Sequence, residues 1–248
     1  MDRPRAVISF TGGKDCTLAL HRLNDSYDVV ALVTFAPSAT RDKPFKAHPL
    51  TLVAIQAQAL GLPHHTVYID GPNYLDSYRQ QITTKLREEL IVRYLITGDI
   101  LDVCNNFMGR AVETTGVELV RPLFELPRQN ILDDVFARNF KVIVSCANVT
   151  KFGPSFDMST LVGQQLTPQL IQHLRDLNAE RLKQQQVDGD GSGGPSVDLA
   201  GEYGEFHTMV LDAPLFKHGS INIGSMVMQR DTDYCYVTFE NTTLVTRP

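Results

Sequence analysis

No two cysteines of this chain form a C-x-x-C pair; Cys16, Cys104, Cys146 and Cys235 stand far apart. A zinc site built from paired cysteines is therefore not signalled, and neither is a dithiol redox centre. Reduced, mostly buried thiols are the plain reading. Long apolar runs are also missing: nothing approaches the ~20 residues that a membrane helix requires, so no membrane partner is expected. Met1-Asp2-Arg3-Pro4-Arg5 leads straight into an apolar run at residues 6–10, too short for the core of a signal peptide. The expectation is a soluble, cytoplasmic protein. Positive charge is in short supply, with a formal net charge of -5. Coating nucleic acid needs a clustered Lys/Arg surface, so nucleic acid is not an expected partner, although a local basic patch stays compatible. There is no internal repeat.

What is present is enough for a core. Of 248 residues, 43% are hydrophobic and 21% charged, which excludes wholesale disorder and suits one α/β domain with an appended smaller part, or two small domains. Short apolar runs at residues 6–10, 29–35, 66–69, 92–97 and 141–145 read as strands. Helical spacing of apolar positions fills residues 17–23, 49–60, 74–90 and 131–138 between them. Strand–helix alternation predicts a parallel sheet with helices on both faces, Rossmann-like.

The C-terminal third reads differently. Residues 167–186 predict an amphipathic helix with Leu170, Ile171, Leu174, Leu177 and Leu182 on one face. The Gly/Ser/Asp-rich stretch within residues 187–200 reads as a flexible loop, either lid or linker. Residues 208–211, 220–229 and 234–240 then alternate like antiparallel strands. The expected division is an α/β domain over 1–150 and a smaller α+β region over 151–248.

Two constellations carry chemistry. The first is Thr11-Gly12-Gly13-Lys14-Asp15-Cys16, between the first strand and the first helix. Adjacent glycines let the backbone approach an anion, and unpaired N–H groups at the helix start can cradle phosphate oxygens. Lys14 adds a point charge. Asp15 repels phosphate unless it holds Mg²⁺ or caps the helix. A thiol at a helix N-terminus can have a lowered pKa, which leaves a nucleophilic Cys16 open. The patterns G-x-x-x-x-G-K-[ST] and G-x-G-x-x-G are both absent here. Strand–turn–helix units with two glycines also arise for packing alone. The second constellation is Gly201-Glu202-Tyr203-Gly204-Glu205-Phe206-His207-Thr208, just before a predicted strand. Its two carboxylates can coordinate Mg²⁺, recognise an ammonium, or take a proton from an attacking amine; a polar turn before an edge strand is the alternative.

The first loop resembles the S-G-G-x-D-S loop of the N-type ATP pyrophosphatases, with Thr11 and Cys16 in place of its two serines. Residues 201–216 resemble the G-E-x-G-E-[FY]-x-T…D-x-P-x-[FY] signature of the diphthine–ammonia ligase family, in the family's order and spacing. Ala47-His48-Pro49, the helix end Gln56-Ala57-Gln58-Ala59-Leu60-Gly61-Leu62-Pro63, and Gly98-Asp99-Ile100 at a strand end agree with it. The resemblance implies a HUP-type fold and an enzyme that uses ATP and Mg²⁺. Such an enzyme would adenylate a carboxylate, release pyrophosphate and amidate the product with ammonia. The implied substrate is diphthine on translation elongation factor 2.

The resemblance also implies which residues do this. Thr11, Gly12, Gly13, Lys14, Asp15, Cys16, Phe35, Gly98 and Asp99 would bind ATP, with Asp15 on the metal. His48, Gly201, Glu202, Gly204, Glu205 and Thr208 would bind substrate, and Lys14, Asp15, Glu202 and Glu205 would be catalytic. Three other readings fit the same residues: an amidating ligase acting on a small metabolite, a sulfur-transfer enzyme acting on tRNA, and a non-catalytic nucleotide-binding module. Acidic net charge and the absence of C-x-x-C pairs weigh against the second.

Overall fold

A computed structural model describes residues 2–41, 46–102, 104–188 and 196–247. Residues 189–195, the centre of the expected loop, lie outside the described residues.

The N-terminal half alternates as the apolar runs predict. β1 (Arg5–Ser9) leads to α1 (Lys14–Leu23), β2 (Asp28–Pro37), α2 (Leu50–Leu60) and β3 (His64–Ile69). α3 (Tyr74–Gln81) runs on as a π-helical segment (Ile82–Glu89) before β4 (Tyr94–Ile96), α4 (Phe107–Val112) and β5 (Glu118–Val120). The five strands are parallel, in the order β3-β2-β1-β4-β5. Alternate residues of β1 feed different cores: Ala6 and Ile8 join one buried cluster, while Val7 joins another with Val33, Phe35 and Leu95. Both faces are covered, which is why these strands read as unbroken apolar runs. With β1 central, the chain reverses its direction of build between β1 and β4. Open α/β sheets bind ligands at the carboxyl ends of the strands flanking such a point.

The second half begins with α5 (Arg128–Ala137), β6 (Lys141–Asn148), α6 (Val149–Phe152) and α7 (Pro168–Asp188). It ends with β7 (Phe206–Asp212), β8 (Gly219–Asn222), β9 (Ser225–Arg230), β10 (Tyr234–Glu240) and β11 (Thr243–Thr246). β7-β6-β10-β9 form an antiparallel sheet and β11-β8 a separate pair. This corrects two expectations. Residues 141–145 do not extend the parallel sheet; β6 pairs antiparallel with both β7 and β10. The run 220–229 is two strands belonging to different sheets. An apolar run marks a buried strand but does not name its partner, since pairing is a long-range choice. β5 went unseen because three residues show no period.

α7 carries a third correction. Leu170, Ile171 and Leu174 are buried and Leu177 packs against them, but Leu182 is 52% exposed. The inward stripe runs instead to Arg181, 8% exposed, which donates to the Lys151 carbonyl at 3.0 Å. A long aliphatic stem with a hydrogen-bonded head occupies an inward position without a stranded charge.

The two halves share one core. Ala6, Ile8 and Leu18 of the parallel layer cluster with Val142, Val144, Met209 and Val210 of the antiparallel one. α1 therefore packs beside β7, and its N-terminus meets residues two hundred positions away.

Candidate active site

Gly13 is the N-cap of α1 and contributes no side-chain cap. Its carbonyl accepts instead from the Thr17 hydroxyl (2.8 Å) and the Cys16 thiol (3.2 Å). The first helical amide, Lys14 N–H, donates to Thr208 Oγ1 on β7 at 3.1 Å. Gly12 has φ +79°, in the left-handed region where a side chain is strained. Its carbonyl is turned inward, accepting from Gln56 Nε2 (2.9 Å) and from Val210 N–H (2.9 Å). A Cβ there would lie 2.2 Å from Gln56 Oε1 and 2.7 Å from Met209 Cε. The first motif is thus held in shape by the strand that follows the second.

Lys14 is 2% exposed. Its ammonium donates to Asp15 Oδ2 at 2.8 Å and to the Ala200 carbonyl at 2.5 Å, and stands 5.8 Å from the Phe206 ring centre. Asp15 Oδ1 is buried and has no hydrogen-bond partner among the described residues. That orphaned oxygen fits a hard cation. No group of three or more His, Cys, Asp or Glu side chains among the described residues is set to hold a metal. Magnesium does not need one, because it commonly takes one or two carboxylates and completes its shell with phosphate oxygens and water.

These groups line a cavity of about 330 Å³, together with Thr11, His48, Thr97, Gly98, Asp99, Gly201, Glu202, Gly204 and His207. A second cavity of about 480 Å³ adjoins it and is apolar, lined by Phe35, Pro37, Ile69, Tyr74, Tyr78 and Phe107. Phe35 and Phe107 flank Tyr78 with ring centres 4.7 and 5.0 Å away. Each volume is in the range of small-ligand sites. Asp99 and Glu202 line both cavities.

Burial dominates the site's titration. It raises Asp99, against a hydrogen bond donated by Thr97 Oγ1 at 2.8 Å, and it raises Glu202. It also raises the Cys16 thiol, which donates to Gly13 and is not a poised nucleophile. Burial pushes His207 down to about 4, and His48, edge-on to it at 5.0 Å, down to about 3. His21 is lowered to about 4, chiefly by burial. Its Nε2 accepts from Leu215 N–H at 3.0 Å and its Nδ1 lies 2.8 Å from the Thr17 carbonyl, a pair of bonds that needs the neutral, Nδ1-protonated ring.

These three histidines must gain protons on unfolding at mildly acid pH. Their contribution to stability is complete above the unfolded value near 6.5 and falls as pH drops toward about 4. Each adds up to about 1.4 kcal/mol per pH unit to the slope. Urea unfolding at several pH values between 5 and 6.5 should show a slope shallower by about one proton in His21→Gln. Equal slopes would mean that His21 titrates normally in the fold.

Of the residues singled out from sequence, Thr11, Gly13, Lys14, Asp15, Cys16, His48, Gly98, Asp99, Gly201, Glu202, Gly204 and Thr208 line the smaller cavity. Phe35 lines the larger one, and Gly12 supports the wall from behind. Glu205 is the correction. It is 3% exposed, and its carboxylate accepts from Tyr203 N–H (2.9 Å) and Asp198 N–H (3.3 Å), bracing the turn that presents Glu202. Glu205→Ala strands two buried donors and should cost about 3 kcal/mol of stability. Thermal denaturation beside AMP formation checks it; full stability with a selective loss of amide formation would return Glu205 to the substrate.

Gln56, fully buried and bonded to both Gly12 and Val210, and His207 stand inside motifs read from the sequence but without a role assigned to them, and the ring cluster around Tyr78 was missed. Gln56 did carry a signal, an amide amid the apolar stripe Leu52, Val53, Ala57, Leu60.

Among the described residues no helix is long and apolar enough to cross a membrane. No curated protein matches the chain. Among solved structures it is similar to a predicted subunit of tRNA methyltransferase from Methanocaldococcus jannaschii, at 13% identity and TM-score 0.40, covering 85% of this chain and 98% of that one. It is also similar to the U34-tRNA thiolase NcsA from Methanococcus maripaludis, at 14% identity and TM-score 0.39, covering 78% and 70%. Likenesses this distant carry no weight for function. Family models are decisive: the diphthamide synthase N-terminal domain matches residues 4–118 and the C-terminal domain residues 128–245. With nearly all of its length matched in the right order, the chain belongs to the diphthamide synthase family and is an ATP-utilising enzyme.

Proposed function

We propose that the enzyme joins ammonia to a carboxylate at the expense of ATP, and that the carboxylate is that of diphthine on translation elongation factor 2. One observation carries the reading: the glycine loop and the Gly201–Thr208 turn line a single cavity, joined by Lys14 N–H to Thr208 and by Lys14 Nζ to Ala200. ATP would lay its adenosine among Phe35, Tyr74 and Tyr78, and its phosphates over Gly13 and the first turn of α1. The division of labour follows: residues 1–150 bind the nucleotide, and 151–248 bring the substrate side to it.

A substrate carboxylate oxygen attacks the α-phosphorus; the bond to pyrophosphate breaks and an acyl adenylate forms. Ammonia then attacks the acyl carbon, AMP leaves, and the nitrogen gives up a proton. Lys14 stabilises the phosphates as a fixed cation, already held by Asp15 and Ala200. Asp15 Oδ1 would hold Mg²⁺, whose charge screens the departing pyrophosphate. Glu202, at the cavity wall, binds ammonium and accepts the proton whose loss frees ammonia to attack, or it holds the substrate's cationic head.

ATP–pyrophosphate exchange tests this. Exchange is expected with elongation factor 2 bearing diphthine, and AMP release with amide formation once ammonium is added. Exchange only with a small carboxylic metabolite would keep the chemistry and change the substrate. Binding of ATP without AMP from any acceptor would end the enzymatic proposal.

A further inference from the structure

Glu202 does more than line a wall. Its Oε1 accepts from two successive backbone amides beyond β4, Ile100 N–H at 3.0 Å and Leu101 N–H at 2.9 Å. Two convergent amides around one oxyanion are an anion seat, and here a carboxylate of the protein itself sits in it. The position matters. Leu101 lines the apolar cavity, Asp99 and Glu202 line both cavities, and among the described residues no other is common to the two linings. In a nucleotide with its base in one cavity and its terminal phosphates in the other, the part that crosses this boundary is the α-phosphate.

We propose that the amides of Ile100 and Leu101 are the seat of the nucleotide's α-phosphate, and that Glu202 is an internal plug which the phosphate displaces. The inference rests on the adenylating reading and sharpens it. Preorganised amides at the α-phosphorus stabilise the charge that builds there as the carboxylate attacks. Displacement also sets an order. Glu202 becomes available to ammonium, which must give up a proton before it can attack, only after nucleotide has taken its place, so the nitrogen donor cannot be bound productively by the empty enzyme.

Calorimetric titration of AMP and of adenosine into wild type, Glu202→Ala and Glu202→Gln tests it. Emptying the seat removes a competitor held by two charge-assisted hydrogen bonds. Glu202→Ala should therefore bind AMP about tenfold tighter or more. Glu202→Gln, whose carbonyl can still fill the seat, should fall between Glu202→Ala and wild type. Adenosine, without a phosphate, should bind all three alike. Equal tightening in the two variants would mean simple charge repulsion and overturn the plug, as would a parallel change for adenosine. AMP affinity indifferent to residue 202 overturns this inference alone. AMP that binds none of the three proteins overturns the adenylating reading and the inference with it.

Discussion

Asp15→Ala is expected to lower AMP formation on the order of a thousandfold, the largest effect of any single substitution in the cavity. The reason lies in how the two carboxylate oxygens are used. Oδ2 pairs with the Lys14 ammonium at 2.8 Å, while Oδ1 is buried with no partner among the described residues. Truncation removes the candidate metal ligand and leaves a nearly buried ammonium with the Ala200 carbonyl as its remaining partner in the loop. Breaking a buried ion pair from one side typically costs about 3–5 kcal/mol, discounted here because Asp15 is 26% exposed. Asp15→Asn separates the two losses, since it keeps the shape and a hydrogen-bond acceptor but not the charge. The measurement is AMP release with ATP affinity alongside, at a temperature where each variant stays folded. Turnover like that of wild type in Asp15→Asn would remove Asp15 from the metal and move the chemistry elsewhere.

Gly98→Ala should damage both the fold and ATP binding. A Cβ at Gly98 would stand 2.6 Å from Cys16 N, 2.7 Å from Asp15 C and 3.0 Å from Asp15 O. All three are backbone atoms of the first turn of α1, so no rotamer change relieves the clash. Either β4 and its loop draw back or the helix start moves, and the phosphate loop moves with it. Overpacking of this kind costs about 1–3 kcal/mol, which in a chain of this size lowers the melting temperature by roughly 2–4 °C per kcal/mol. ATP affinity should fall as well, because the displaced amides are those proposed to hold phosphate. Gly204→Ala is the comparison: its φ of +77° strains a side chain, but a Cβ there meets nothing within 4 Å. It should cost about 1 kcal/mol and leave ATP binding near normal. Wild-type melting and ATP binding in Gly98→Ala would show that the approach of β4 to α1 is unimportant.

Much of this site could be read in one dimension because its chemistry is local. A glycine pair between a buried strand and a helix dictates exposed amides whatever surrounds it, and Thr11, Gly13, Lys14 and Asp15 do line one cavity. Strands β1 to β4 of the parallel layer were equally legible, since strands buried on both faces must be apolar throughout, whereas β5, three residues long at one edge, was not. Three-dimensional packing decided the rest. Glu202 and Glu205 are three residues apart and chemically alike, yet one faces the cavity and the other is folded inward onto Tyr203 and Asp198. The turn through Gly201 and Gly204, both at positive φ, makes that difference, and no pattern of residue types announces it. β6 looked like one more parallel strand, but its partners β7 and β10 lie far along the chain.

The sequence alone determined that a glycine pair lies between the first strand and the first helix and that a paired-carboxylate turn stands near the other end of the chain, because both are written in adjacent residues. Only the tertiary structure decided that the two meet through Thr208 and Ala200, that Glu205 braces rather than binds, and that Glu202 fills the amides of Ile100 and Leu101. Which donor a carboxylate finds depends on backbone brought close by long-range packing, and local sequence carries no record of that distance.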